Sequence, residues 1–245
     1  MLFYLPWNDK LGFEVYVFEK VEADFIITPH KPASKKNLEE FFKAYREYKD
    51  KALQKPFLPK PKNLPSYIEK FKKWCAIRLD NPLKDLITPE EDKKLLKIAE
   101  LISKILKKQP FEFQHGHLSI YDIKKKDKNY YLFSNLFWGW YYPLYDSIFS
   151  FEWFMLELAH LPSKKIEEQI NLWLEAIKSA LQKSQYIKKT YGKGFLKHYH
   201  LGVVERLTAA LNLDLLMIGK KENILKIKPI LWKYLEKNLV QLKHI

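Results

Sequence analysis

Apolar side chains recur every three or four residues along most of the chain, which is the spacing of one face of an α-helix. The pattern begins in 38–48, where Phe41, Tyr45 and Tyr48 follow one another at that spacing. It predicts further helices over 65–79, 89–107, 145–161, 163–183, 194–218 and 222–242. We therefore expect a mostly helical protein.

Capping residues and prolines set several boundaries of these helices. Ser34 or Asn37 can cap the first helix, and Thr88-Pro89-Glu90-Glu91 combines a capping residue, a first-turn proline and early acids. Such a sequence is a strong helix start signal. Pro229 lies inside the last helical pattern and is expected to kink or split it, because proline lacks the backbone donor.

Two stretches favour β-hairpins instead. At the start, Phe3-Tyr4-Leu5 precedes an expected turn at 6–9, and 13–21 is rich in aromatic and β-branched residues. These features are typical of a hairpin. Further along, a lysine-rich turn near Lys124 leads into the apolar run 130–134. We expect the second hairpin to follow directly on the loop discussed next.

The loop of greatest chemical interest is Gln114-His115-Gly116-His117-Leu118-Ser119-Ile120-Tyr121-Asp122-Ile123. It holds two histidines and one carboxylate. A short loop with such groups, followed by a charged turn and a strand ending in the hydroxyl of Ser134, has the local shape of a catalytic loop and hairpin. His117 is the candidate general base, since free imidazole has a pKa near ~6.5.

Composition sets limits on the class of protein. The chain has 245 residues, of which 47% are hydrophobic and 16% aromatic, so it can bury a sizeable core. Its single cysteine, Cys75, permits no internal disulfide. The start has no basic leader, and the apolar run 148–161 is too short to span a bilayer. We expect a cytoplasmic protein without a membrane span.

The net charge of +14 comes from 43 basic residues, nearly all of them lysines spread in small groups with acids between them. Such a charge favours non-specific attraction to polyanions. The only arginines are Arg46, Arg78 and Arg206, and arginine dominates base-edge recognition. A basic nucleic-acid or anionic-surface binder remains one alternative, and a solvated lysine-rich surface is the simpler interpretation.

The loop and the residues after it resemble the aminoglycoside phosphotransferase and choline kinase group, which has the protein-kinase fold. That group shows His-Gly-Asp-Leu-His-x-x-Asn-Ile, a charged turn, apolar-apolar-Asp, Gly-Trp, and Pro-x-Tyr-Asp at the head of a helix. The positions that match without a gap are His115, Gly116, Leu118, Ile123, Gly139, Trp140, Pro143, Tyr145 and Asp146. The resemblance implies that Asp146 hydrogen-bonds the loop and keeps its shape.

The sequence departs from this pattern at the positions that supply the catalytic base and the metal ligands. His117 stands where the group has its catalytic Asp, and Asp122 replaces a magnesium-binding Asn, which makes it the one remaining candidate metal ligand. Ser134 replaces the Asp that bridges magnesium to the nucleotide phosphates. Because phosphoryl transfer depends on positioning and on cancelling negative charge, losing that carboxylate removes the central electrostatic part.

The resemblance also implies a nucleotide hinge and an N-terminal lobe. The hinge-like residues are Phe18, Glu19, Lys20 and Val21, whose backbone would meet the adenine. About seventeen residues precede Phe18, too few for the several strands of that lobe, and no Gly-x-Gly-x-x-Gly occurs. We expect an α+β, mostly α fold: residues 1–30 as a hairpin and hinge-like remnant, and 31–245 as a kinase-like helical lobe with a catalytic-loop hairpin.

The expected function is that of a degenerate pseudokinase with a binding or scaffold role, no cofactor, and a second chain supplying or covering the missing lobe. The alternative is a divergent ATP- and magnesium-dependent small-molecule kinase with His117 as base. Two further interpretations stay open. His115 and His117 with His198 and His200 could bind a metal, although paired structural histidines are simpler. The aromatic run 137–142 could stack on ring-shaped ligands, or form a buried wall.

Overall fold

The structure is a computed structural model that describes residues 3–8, 13–17, 22–52, 56, 58–63, 66–133 and 137–244. Helices dominate it, and the strands form small antiparallel sheets. This agrees with the expectation of an α+β, mostly α protein. The hinge-like residues Phe18 to Val21 and Ser134 lie outside the described residues.

The described strands form three small sheets. β1 (Phe3–Asn8) pairs with β2 (Phe13–Val17), and β4 (Glu112–Gln114) pairs with β7 (Gly139–Tyr141). The third sheet has the order β3-β5-β6 and is built from Asp24–Phe25, Ile123–Lys126 and Asn129–Leu132. Its β3 strand belongs to the residues 1–30 that the sequence assigned to the hairpin remnant, and it pairs with the hairpin that follows the candidate loop.

Eight α-helices are found in the described residues: α1 (Lys35–Ala52), α2 (Tyr67–Leu79), α3 (Pro89–Leu106), α4 (Tyr145–Glu157), α5 (Ser163–Lys183), α6 (Gln185–Tyr191), α7 (Phe195–Asn212) and α8 (Lys221–Lys243). Short 3₁₀ turns follow α4, α6 and α7. Each predicted helix has a counterpart, but those predicted over 145–161 and 194–218 end as α-helices at Glu157 and Asn212 and are followed by 3₁₀ turns. α6 was not predicted.

The boundary signals have clear structural counterparts. The Thr88 hydroxyl accepts from the Glu91 N–H at 3.2 Å and the Glu91 carboxylate accepts from the Thr88 N–H at 2.8 Å, a reciprocal capping box. Ser34, rather than Asn37, caps α1, because its hydroxyl accepts from the Asn37 N–H at 3.1 Å. These caps satisfy amide donors that the helix itself leaves unpaired.

Helix α7 lies at the centre of the fold and packs against α2, α3, α4 and α8, while α5 packs against α1 and α4. Apolar residues surround α7 on nearly all sides, which is the pattern of a buried helix. Gly202 lets α4 approach closely, since a Cβ there would lie 2.4 Å from Ile148 Cδ1. A cluster of Phe41, Phe42, Phe154 and Trp173 joins α1, α4 and α5.

Two local predictions are narrowed by the structure. α8 runs from Lys221 to Lys243 as one helix with Pro229 inside it, so of the two expected outcomes, a kink or a split, the split does not occur. Ile227 and Ile230 beside the proline are buried, which keeps this part of the helix packed on the core. The turn expected at 6–9 is also displaced, because β1 extends to Asn8, with a register irregularity between Leu5 and Asn8.

Candidate functional site

The candidate site is the loop 115–122, which connects β4 to the β5–β6 hairpin. Its start is fixed by the β4–β7 pair, in which Gln114 lies opposite Gly139. Gly116 then adopts φ +82°, and a Cβ there would lie 2.2 Å from the Tyr141 hydroxyl oxygen. Glycine fits both the left-handed backbone and this close approach. The turn between the two histidines is therefore tightly constrained.

Asp146, in the first turn of α4, holds the backbone of this loop. Its buried carboxylate accepts from the His115 N–H at 2.9 Å through Oδ2 and from the Gly116 N–H at 2.8 Å through Oδ1. The Asp146 N–H in turn donates to Gln114 Oε1 at 3.3 Å. A carboxylate at this position also benefits from the positive end of the helix dipole.

Tyr48 on α1 is a further member of this network that the sequence did not reveal. Its hydroxyl donates to Asp146 Oδ2 at 2.5 Å and accepts from the His115 N–H at 2.9 Å. Burial, followed by the negative charge of Asp146, raises the pKa of Tyr48 well above its ordinary value, so the hydroxyl remains a donor. Aromatic spacing placed Tyr48 on the apolar face of α1, but nothing in the sequence pointed to its hydroxyl.

His115 is completely buried. Its ring Nε2 lies 2.8 Å from the Phe133 carbonyl oxygen, and the ring meets Trp138 edge-on at 5.6 Å. This imidazole therefore joins the loop to the end of the β5–β6 hairpin. Its contacts are those of a structural residue, since the ring is closed off from solvent.

His117, the candidate general base, is surrounded by aromatic rings. Its imidazole stacks on Phe137 with centroids 4.7 Å apart and lies 4.7 Å from the ring of Phe149, with Trp153 at 6.4 Å. Within the described part of the chain, no hydrogen bond or ion pair engages its ring nitrogens. Phe137 is 45% exposed, so this aromatic stack reaches the surface.

Asp122, the candidate metal ligand, is buried and already engaged. Its Oδ2 accepts from both the N–H and the hydroxyl of Ser119, each at 2.7 Å. Its carbonyl oxygen accepts from the Phe133 N–H at 2.8 Å. The carboxylate thus closes the turn 119–122, and only Oδ1 is left for any further ligand.

Two groups of predicted site residues are left untested, because Ser134 and the residues from Phe18 to Val21 lie outside the described residues. The histidines of α7 are described. His198 and His200 are both on α7, where the ring of His198 packs on Tyr191 and His200 Nδ1 lies 2.8 Å from Asn238 Oδ1. Among the residues that the structure describes, no group of three or more His, Cys, Asp or Glu is arranged to hold a metal ion.

A cavity of about 520 Å³ is lined in part by Trp153, the tryptophan whose ring centroid lies 6.4 Å from that of His117. Trp153 and Met217 supply apolar walls, and Glu157 and Asp214 contribute carboxylates. Burial raises the pKa of Glu157 above its usual range, with His30 opposing the shift. The volume falls within the range of small-molecule sites.

No family model, curated protein or solved structure matches this chain. The described helices include none that is long and apolar enough to cross a membrane.

Proposed function

We propose that this protein is a degenerate member of the aminoglycoside phosphotransferase and choline kinase group, with a kinase-like helical lobe and a binding or scaffold role. It does not transfer phosphate by the mechanism of that group. The observation that carries the proposal is a contrast within one loop. Asp146 supports the loop backbone through two hydrogen bonds, whereas the position of the catalytic base holds His117 between two aromatic rings.

The order of elements supports the kinase-like part of the proposal. The long helix α3 precedes the loop, the β5–β6 hairpin follows it, and α4 begins with the supporting Asp146. This is the sequence of elements that the resemblance implies around a catalytic loop. This order of elements, together with the sequence matches from His115 to Asp146, is the support for the kinase-like part of the proposal.

The chemistry of the loop supports the loss of phosphoryl transfer. The group's mechanism needs an acceptor-orienting base and carboxylates that hold magnesium against the phosphates. Here the base position is an imidazole with ring neighbours, and Asp122 uses Oδ2 to bind Ser119. With a serine at position 134, the loop offers one partly engaged carboxylate for the charge of a magnesium nucleotide.

The cavity beyond Trp153 supports a binding role. Its volume of about 520 Å³ and its mixture of aromatic, thioether and carboxylate groups suit a small organic molecule. Trp153 lines this cavity and its ring also lies near His117, so a molecule bound there would contact a residue of the aromatic cluster around the loop. Binding there requires no reaction at His117.

The test is the melting temperature of the protein with ATP and magnesium. A ligand at a hundred times its dissociation constant stabilises the folded state by about 2.7 kcal/mol. We expect no stabilisation of the natural protein. The restored variant His117→Asp with Ser134→Asp is measured beside a control with the same charge change on exposed residues, Ser179→Asp with His244→Asp.

The outcomes distinguish the proposed binding or scaffold role from the divergent kinase. Stabilisation of the natural protein that requires magnesium would refute the proposal and favour the divergent kinase with His117 as base. A response confined to the restored variant would support descent from a phosphotransferase that lost its metal site. If neither variant responds, the nucleotide site is lost altogether, and the binding role stands without it.

A further inference from the structure

One part of the chain breaks the mixed charge pattern expected from the sequence. In most of the chain, acidic residues separate the groups of lysines. Residues 176–204, however, contain no Asp or Glu, although the whole chain has 29 of these residues. The same stretch contains six lysines, Lys178, Lys183, Lys188, Lys189, Lys193 and Lys197. We call these six residues the lysine surface.

The fold gathers the lysine surface into one region. The stretch comprises the end of α5, all of α6, the 3₁₀ turn Gly192–Gly194 and the first half of α7, and α6 packs against both neighbouring helices. Four of the lysines are exposed, and Lys178 and Lys197 are partly exposed. Arg46 of α1 adds a cation at its edge, because its guanidinium donates to the Ala180 carbonyl oxygen at 3.4 Å.

These ammonium groups are also free of internal partners. Elsewhere, exposed lysines such as Lys94, Lys165 and Lys233 lie within 3 Å of a carboxylate. Across the described ranges, no carboxylate lies within 4 Å of any ammonium group of the lysine surface. Their charges are therefore available to an external anion.

Acids border the region without entering it. Glu112, which accepts from the Tyr191 hydroxyl of α6, is buried and bound to Lys49 at 2.7 Å. The exposed Glu175 lies three residues before Lys178 on α5. Asp50 lies at the border, where its carboxylate accepts from the Ser184 hydroxyl at 3.5 Å. The solvent-facing side of α6 remains positive.

We infer that the lysine surface binds the phosphate backbone of a nucleic acid without reading its bases. Lysine is a compact point charge that suits phosphate, whereas base-edge recognition relies on arginine. An anionic membrane fits less well, because surface-bound helices insert apolar side chains. The large apolar side chains that are exposed in the described chain, such as Ile77, Met217 and Leu225, lie outside 176–204.

The test measures binding to a labelled duplex DNA and to a labelled single-stranded RNA by fluorescence anisotropy at several salt concentrations. For six phosphate contacts the logarithm of the affinity should fall with the logarithm of salt with a slope of about −5 for duplex DNA. Between about 50 and 200 mM salt the affinity should therefore drop by about 10³-fold.

Two variants with equal loss of charge locate the surface. In the first, Lys183, Lys188, Lys189 and Lys193 are replaced by Gln, which should make the duplex slope shallower by about 3 to 4. The control replaces four other exposed lysines by Gln: Lys35, Lys36, Lys72 and Lys73. We expect the control to retain the slope and the affinity of the natural protein.

Three results would overturn the inference. They are no binding to either nucleic acid at about 50 mM salt, an equal loss in both variants, and binding to vesicles of anionic lipid but not to nucleic acid. The melting temperature of each variant, expected to match the natural protein because all the replaced residues are exposed, separates lost binding from lost folding.

Discussion

Replacing Asp146 by Asn removes the charge that holds the candidate loop while keeping the size of the side chain. Three donors converge on this buried carboxylate: the His115 and Gly116 amides and the Tyr48 hydroxyl. An amide has one oxygen, so whichever way Asn turns, its NH₂ group faces at least one of these donors. Losing a charged hydrogen bond costs about 1.5–3 kcal/mol, and an unsatisfied buried donor adds about 1–3 kcal/mol.

We therefore expect Asp146→Asn to lower the free energy of unfolding by about 3 kcal/mol, or the melting temperature by about 10 °C for a chain of this size. The assay is urea denaturation followed by tryptophan fluorescence. Asp127→Asn is the control, because it makes the same chemical change in the exposed turn between β5 and β6. A loss below about 1 kcal/mol for Asp146→Asn would refute its role as the anchor of the loop.

Two further predictions concern buried charges outside the loop. Lys49→Met should cost about 3–5 kcal/mol, because Lys49 and Glu112 form a buried ion pair at 2.7 Å. Adding Glu112→Gln should recover at least half of this loss in urea denaturation, and no recovery would contradict the pairing. Burial raises the pKa of Glu205 in the folded protein, so its ionisation opposes folding as pH rises above ~4.3. Glu205→Gln should therefore melt higher than the natural protein at pH 8 but not at pH 4, and an equal effect at both values would contradict this.

The ion pair of Lys49 and Glu112 bears directly on the candidate loop. It joins α1 to β4, the strand that leads into His115, and the Tyr191 hydroxyl donates to the second oxygen of the same carboxylate. Tyr48, which directly precedes Lys49 in the chain, joins α1 to Asp146. Two adjacent residues of α1 thus attach this helix to the loop and to its leading strand.

Much of the secondary structure could be predicted because its determinants are local. The capping box of Thr88 and Glu91 and the helical spacing from 163 to 183 depend on residues within a few positions of each other. α6 escaped prediction because only Ile187 and Tyr191 of its seven residues are buried, too few to make a periodic pattern. For Pro229 the sequence left a kink or a split open, and the continuous helix α8 excludes the split.

The sequence also identified the loop, its two histidines and its carboxylate, because residue identity alone determines which chemical groups a loop can offer. Only the tertiary structure determined what those residues contact. Tyr48 and Asp146 are far apart in the chain, as are His117 and Phe149, and the sequence gives no sign that they meet. Side-chain contacts of this kind depend on how helices and strands pack, and packing is set by the whole core rather than by neighbours in sequence.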